Sequence, residues 1–153
     1  MPVRCLSDTP NFRLQLLSII FVHGLRGHRL NSWTKQGICW PKDLLPREPA
    51  LSNVRILSFG YDSRVVDFGG HPSLNSLFNH SISLLNGLCR ERRDVVGLVL
   101  VLSLVETEFN EQNRPIIFVA HSLGGLIVKD VRHQIHQSCD LSSLQIIIGY
   151  ALF

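Results

Sequence analysis

Short, nearly continuous apolar runs divide this chain. Leu17-Ser18-Ile19-Ile20-Phe21-Val22 ends at His23-Gly24, Asn53 to Phe59 ends at Gly60-Tyr61-Asp62, and Pro115-Ile116-Ile117-Phe118-Val119-Ala120 ends at His121-Ser122. Runs of this length and composition predict central strands buried on both faces. Leu144 to Phe153 is a fourth strand candidate. Between them the period changes. From Ser73, a plausible N-cap, the apolar residues Leu74, Leu77, Phe78, Ile82, Leu85 and Leu88 recur at helical spacing. Leu123 to Gln137 predicts a second helix, with Leu126, Ile127, Val131 and Ile135 on one face. Cys39 to Pro46 reads as a short helix or turn bracketed by prolines, Met1 to Asn11 as polar and turn-like, and 63–72 as loop. Val95 to Asn113 fits neither period; it either extends the preceding helix or forms a separate apolar element. Strands alternating with helices predict an α/β domain, three-layer αβα with a mostly parallel sheet.

Composition narrows this picture. The 153 residues are 45% hydrophobic and 18% charged, which fits one globular domain over 1–153 and excludes a disordered chain. A net charge of +3 is too small to indicate a nucleic-acid partner. The Arg90-Glu91-Arg92-Arg93 cluster reads as the solvated end of a helix. Cys5, Cys39, Cys89 and Cys139 form neither a metal-binding spacing nor a secreted framework, so free thiols in an intracellular compartment are the plain reading. Leu14 to Val22 lacks the basic leader and cleavage site of a signal peptide, and Val95 to Val105 is shorter than the roughly 20 residues a membrane span needs. No metal or cofactor motif is present.

The candidate chemistry lies at Ser122. An apolar strand runs into Ala120-His121-Ser122-Leu123-Gly124-Gly125 and an amphipathic helix leaves, which is the context a nucleophile elbow requires. Small residues at Ala120 and Gly124 let strand and helix approach, and Gly125 is expected to add room for packing. The Leu123 N–H at the helix start is one candidate oxyanion donor; the Leu25 N–H, in the loop shaped by His23 and Gly24, is the other. A triad acid and histidine are missing. After Ser122 the only histidines are His133 and His136, and the only acids are Asp130 and Asp140. His133 is about 16 Å and Asp130 about 12 Å along the helix that leaves the elbow, beyond reach of the hydroxyl. His28, His71 and His80 read as surface residues. Asp62 could approach the cleft but has no histidine to orient.

The segments FVHGL (21–25), NSWT (31–34), CWPKDLLP (39–46), RILSFGYDS (55–63) and RPIIFVAHSLGGLIVKD (114–130) together resemble the fungal members of the α/β-hydrolase superfamily. More narrowly, they look like the lipase-like serine esterases related to the serine-active-site-containing protein of mitochondria and endoplasmic reticulum. Similar domains also precede NACHT or ankyrin modules. The resemblance covers 12–94 and 112–138. It implies a cofactor-free hydrolase acting on an ester or lipid, with Ser122 as nucleophile, His23, Gly24 and Leu25 as oxyanion loop, and association with a mitochondrial or endoplasmic reticulum membrane. Two stretches depart from the family: an aliphatic insertion at 95–111 and an atypical terminal strand at 144–153, where the family passes into a long C-terminal half. The chain thus reads as the truncated N-terminal half of a hydrolase, weak or inactive alone, with an apolar last strand open to pairing. The competing readings are a non-catalytic signalling or interaction module, and a peripheral membrane protein using Val95 to Val105. Both departures are expected to reflect translated intron or an incomplete gene model. A transcript that encodes them as written and stops after Phe153 would contradict that expectation.

Overall fold

The computed structural model describes residues 2–6, 17–63, 74–102, 115–137 and 146–150. Its centre is a five-stranded mixed sheet. The strands are β1 (Val3–Cys5), β2 (Leu17–Val22), β5 (Val54–Phe59), β6 (Ile116–Ala120) and β7 (Ile146–Tyr150), in the spatial order β1-β5-β2-β6-β7. β5, β2, β6 and β7 are mutually parallel, with Val22 opposite Phe59 on one side and Ala120 on the other. β1 adds an antiparallel edge, Val3 facing Phe59. The polar composition of Met1 to Asn11 predicts turns; the stretch instead yields this strand because Val3 is buried against the core beside Gly87.

The order of the strands decides where a ligand can enter. From β2 the chain moves outward to β5, then returns to the opposite side of β2 as β6. The C-terminal ends of β2 and β6 therefore meet where connections diverge, the topological switch point at which open α/β sheets form their crevice. His23-Gly24 and His121-Ser122 are the residues that leave those two ends.

Side chains alternate across the sheet with period two. Ile20 and Val22 of β2, Leu57 and Phe59 of β5, and Phe118 of β6 share one core with two helices. These are α2 (Leu74–Leu102), contributing Leu84 and Leu88, and α3 (Leu123–Gln137), contributing Ile127 and Val131. Ile19, Phe21 and Ile56 face the other way, onto Trp33 and Cys39. That second face is covered by the segment 30–51: a 3-10 turn at Asn31–Trp33, a two-stranded hairpin of β3 (Thr34–Lys35) and β4 (Ile38–Cys39), the single-turn helix α1 (Trp40–Asp43) and two further 3-10 turns. Among the described residues every helix longer than one turn lies on one face, so the second helical layer of the expected three-layer arrangement is replaced there by hairpin and turns. Gln36 and Gly37 connect the hairpin with positive φ at both positions (51° and 81°), the two-residue geometry that matches strand twist.

The Arg90–Arg93 cluster does not end its helix; α2 continues to Leu102. This decides the Val95 to Asn113 ambiguity in favour of helix as far as Leu102. Glu91 pairs with Arg55 of β5, which is buried, so this cluster member is a tie to the sheet rather than a solvated cap. Buried Ser81 on α2 donates to the Asp130 carboxylate on α3 and receives the Gln134 amide, a polar clamp inside the helix pair. No described helix is long and apolar enough to cross a membrane. The predicted N-cap Ser73, His71, Cys139 and Asp140 lie outside the described residues, as does nearly all of the 63–72 loop.

Candidate active site

The turn at Ser122 is built by close backbone contact. β6 hands its register to the turn through the His121 N–H, which donates to the Val22 carbonyl at 3.0 Å. Ser122 then takes φ 51°, a left-handed conformation that costs a side-chain-bearing residue about 1 kcal/mol or more. Gly124 and Gly125 donate to the carbonyls of His121 and Ser122 as α3 starts, each at 2.9 Å. A Cβ on Gly124 would stand 2.4 Å from the Val22 carbonyl oxygen and 2.6 Å from that of His23, so only glycine lets α3 rest on the tip of β2. Gly125 is different: nothing lies within 4 Å of a Cβ there, so the expected packing role is absent.

The partner loop closes on the same point. A Cβ on Gly24 would lie 2.9 Å from the Ser122 Cβ and 2.7 Å from His121 Nδ1. The loop is tied back on itself and to β5. Gly27 N–H donates to the Gly24 carbonyl, Arg26 N–H to Ser63, the Ser63 hydroxyl to Gly27, and the Ser58 hydroxyl to the Arg29 carbonyl. Among the described residues neither the Leu25 N–H nor the Leu123 N–H donates to a protein acceptor. The Ser122 side chain is exposed, and no described side chain is hydrogen-bonded to its hydroxyl.

His23 is 1% exposed and fully engaged. Its ring stacks on Tyr61 at 4.3 Å with the planes 6° apart. Nε2 accepts the Tyr61 N–H at 3.4 Å, and Nδ1 lies 3.0 Å from the Gly24 carbonyl, so the network assigns the neutral tautomer with the proton on Nδ1. Tyr61 also donates its hydroxyl to the His23 carbonyl at 2.8 Å. Burial pushes the His23 pKa below its usual value; the Gly24 carbonyl opposes this, and the charges of His28 and Arg29 reinforce it. Burial likewise raises the Tyr61 phenol, which stays protonated as a donor.

His80 sits differently from expectation. It is half-buried, its ring 4.7 Å from Tyr61 and its Nε2 3.2 Å from the Ser76 hydroxyl. Burial lowers its pKa, and Asp62 counteracts through both its backbone and its charge. Asp62 therefore does have a histidine beside it, a pairing hidden in sequence because the two lie 18 positions apart in the chain. His28 is exposed, and its Nδ1 accepts the N–H groups of Leu30 and Asn31. His133 and His136 lie on exposed positions near the far end of α3, where the rise of the helix puts them. Among the described residues no group of histidine, cysteine or carboxylate side chains is arranged to hold a metal ion.

A cavity of about 650 Å³ opens beside the turn, walled by Gly24, Leu25, Trp33, Lys35, Trp40 and His121. In the sequence both tryptophans stand out as family markers but not as a wall.

Fold and site together define an α/β protein that presents an exposed, backbone-strained serine at the switch point of a mostly parallel sheet. The chain is similar to Protein SERAC1 of Danio rerio, 30% identical over 144 aligned positions that cover 82% of this chain and 19% of that protein. Protein SERAC1 of Bos taurus is 31% identical over 131 positions, and that of Homo sapiens 29% over 131, each covering 72% of this chain and 17% of the relative. A SERAC1-like relationship, to proteins with a serine active site, is what these similarities support. The chain spans about a fifth of the length of these relatives. No family model and no solved structure matches it.

The two glycines of α3 give a paired test. Gly124→Ala is expected to lose about 3 kcal/mol, because backbone rather than a movable side chain blocks the methyl. Gly125→Ala is expected to gain about 0.5–1 kcal/mol from helix propensity alone. Urea unfolding measures both, and equal effects would contradict the contact geometry. The state of His23 sets a pH dependence. Its folded pKa lies below the ordinary 6.5, so the unfolded chain binds the extra proton and stability falls as pH drops through and below that value. The melting temperature should decline between about pH 7 and 5, and less steeply in His23→Gln, whatever that variant's overall stability. Identical slopes would mean that buried His23 is not the group responsible.

Proposed function

We propose that this chain carries the nucleophile and oxyanion half of a serine hydrolase of the esterase or lipase-like type, built on an α/β-hydrolase fold and acting on a carboxylic ester. The observation that carries the reading is Ser122: a left-handed serine between a parallel strand and a helix, with Gly24 of the neighbouring strand end packed against it. Such a turn holds a hydroxyl clear of its own backbone and turns the first N–H groups of α3 toward the same space.

The chemistry follows from those positions. Ser122 Oγ attacks the ester carbonyl carbon while a base takes its proton. The carbonyl oxygen, becoming an oxyanion, is received by the Leu25 and Leu123 N–H groups, which have no competing acceptor among the described residues. The tetrahedral intermediate collapses, the alcohol leaves with the proton returned by the base, and water then releases the acid from Ser122 by the same steps in reverse roles. His23, Gly24, Ala120, His121 and Gly124 shape the two loops. His23 is not that base, because both ring nitrogens are committed to Tyr61 and Gly24. The acid and the histidine belong to residues beyond those described, which accords with relatives about four times as long as this chain. In the cell the resemblance points to an intracellular protein associated with mitochondria or endoplasmic reticulum, and to a lipid as one class of ester.

A second reading has its own observation: no described side chain is hydrogen-bonded to the Ser122 hydroxyl. On that reading the fold serves as a non-catalytic interaction module. Fluorophosphonate labelling separates the two. The hydrolase reading expects slow labelling of the chain, abolished by Ser122→Ala and accelerated by added imidazole acting as an external base. Without its base the serine retains a small residue of its reactivity, on the order of a thousandfold or more below a complete triad. Labelling that is absent, or that survives Ser122→Ala, would favour the interaction module.

A further inference from the structure

The cavity beside the turn has a composition that the steps at Ser122 leave unexplained. Two of its walls, Gly24 and His121, are the residues that touch or adjoin Ser122, so the space begins where a bound ester carbonyl would sit. Its other walls include two aromatic rings fixed in place, beside Leu25 and the polar residues Ser32, Thr34 and Lys35. Trp33 and Trp40 meet edge to face, 6.1 Å between ring centroids, and both pack edgewise on Phe21 of β2, at 5.2 and 5.0 Å. Phe21 is fully buried, so the sheet itself anchors these walls. The tight Gln36-Gly37 hairpin brings the two tryptophans together, and the Asp43 carboxylate receives the Cys39 N–H at 2.7 Å just before Trp40. Edge-to-face aromatic clusters of this kind are rigid and apolar.

The charge pattern is equally specific. Among the described residues no carboxylate lines the cavity, and its ionic neighbour there, Lys35, is exposed, leaving its head in water and its stem along the wall. The volume, about 650 Å³, lies within the roughly 300–1,000 Å³ of pockets that enclose a small organic ligand. Mostly apolar walls, no anionic partner and a position next to the serine fit an uncharged hydrocarbon group. An ester has two such groups, and they differ in what happens to them. The alcohol leaves after the first step and must be replaced by water; the acyl group stays bonded to the serine through both steps. A walled space against Ser122 suits the group that stays.

We propose that the cavity walled by Trp33 and Trp40 is the acyl subsite of this chain, taking an uncharged aliphatic or aryl acyl group. The inference rests on the serine-hydrolase reading of Ser122, but its test does not need turnover. The chain has two tryptophans, and both line the cavity, so intrinsic fluorescence reports occupancy directly.

The experiment titrates the Ser122→Ala chain with two isomeric esters, methyl octanoate and heptyl acetate, which place the same hydrocarbon on the acyl or the alcohol side. Methyl octanoate is expected to change tryptophan emission saturably and to bind about tenfold more tightly than heptyl acetate, a preference worth about 1.4 kcal/mol. Thr34→Phe, which fills the cavity from an exposed strand position, should abolish the response while far-ultraviolet circular dichroism is retained; Thr34→Leu serves if the aromatic variant does not fold. Equal binding of the two isomers would overturn the acyl assignment, and binding insensitive to a folded Thr34 variant would overturn the cavity. Saturable binding that discriminates the isomers in a chain whose Ser122 is never labelled would leave the subsite standing and remove the hydrolase reading, so the two can fail separately.

Discussion

Everything at the site depends on how closely the ends of β2 and β6 approach. Gly124 lies where any Cβ would collide with the last carbonyls of β2, and Gly24 lies where any Cβ would collide with Ser122. Each glycine belongs to one side of the contact and is required by the backbone of the other. The two strand ends therefore interlock, and the left-handed Ser122 is a consequence. With α3 pressed onto β2 and the His121 N–H bonded to Val22, a right-handed residue would send the chain away from the helix start. The strain at Ser122, on the order of 1 kcal/mol, is small beside the sheet and helix packing that imposes it.

Much of this is legible in the sequence because its causes are local. The strands β2, β5 and β6 are apolar runs of strand length, and α3 follows β6 without a gap, so the pattern of residues alone places the strand–Ser122–helix unit. Gly24 and Gly124 are recognisable as the permissive residues of two turns. Contacts between distant segments are not legible in this way. Val3 becomes a strand only because β5 offers an open edge. Glu91 leaves the surface only because Arg55 emerges from the sheet beneath it. Gly125 looks equivalent to Gly124 in the motif, yet one faces open space and the other carbonyl oxygens, a difference of about 100° around a helix that composition does not encode.

The histidines show the same limit more sharply. Position alone assigns His23 to loop shaping; its burial, its stacking on Tyr61 and its neutral state come from β5 reaching the same level as β2. The absence of a surrounding motif suggests a surface position for His80, whereas α2 lays it against the outer face of Tyr61, next to Asp62. His23 and His80 thus both meet Tyr61, the first stacked and the second tilted; burial holds His23 neutral, while His80 is held between burial and a carboxylate. A permanently charged imidazolium at His23 would carry a positive charge into the apolar junction of β2, β5 and α3. The Tyr61 N–H, already pointed at Nε2, would oppose that proton as well.

The contact of His23 with Tyr61 also helps fix the loop after β2, the loop proposed above to receive an oxyanion. The loop from Gly24 to Trp33 is fastened at its start by His23 and Tyr61, in its middle by Ser63 and Ser58, and at its end by the packing of Trp33 on Phe21. All of these anchors belong to β2, to β5 or to the residues just beyond β5. The loop that carries the Leu25 N–H and one side of the cavity are thus anchored on β2 and β5, while β3, α1 and the turn after β6 complete the cavity. Preorganisation of this kind is what lets donors stabilise charge without a cost of reorientation at the moment it develops. It also separates the two halves of the proposed chemistry physically. Binding and charge stabilisation are properties of a rigid strand junction, while proton transfer requires a group brought to Ser122 from outside that junction.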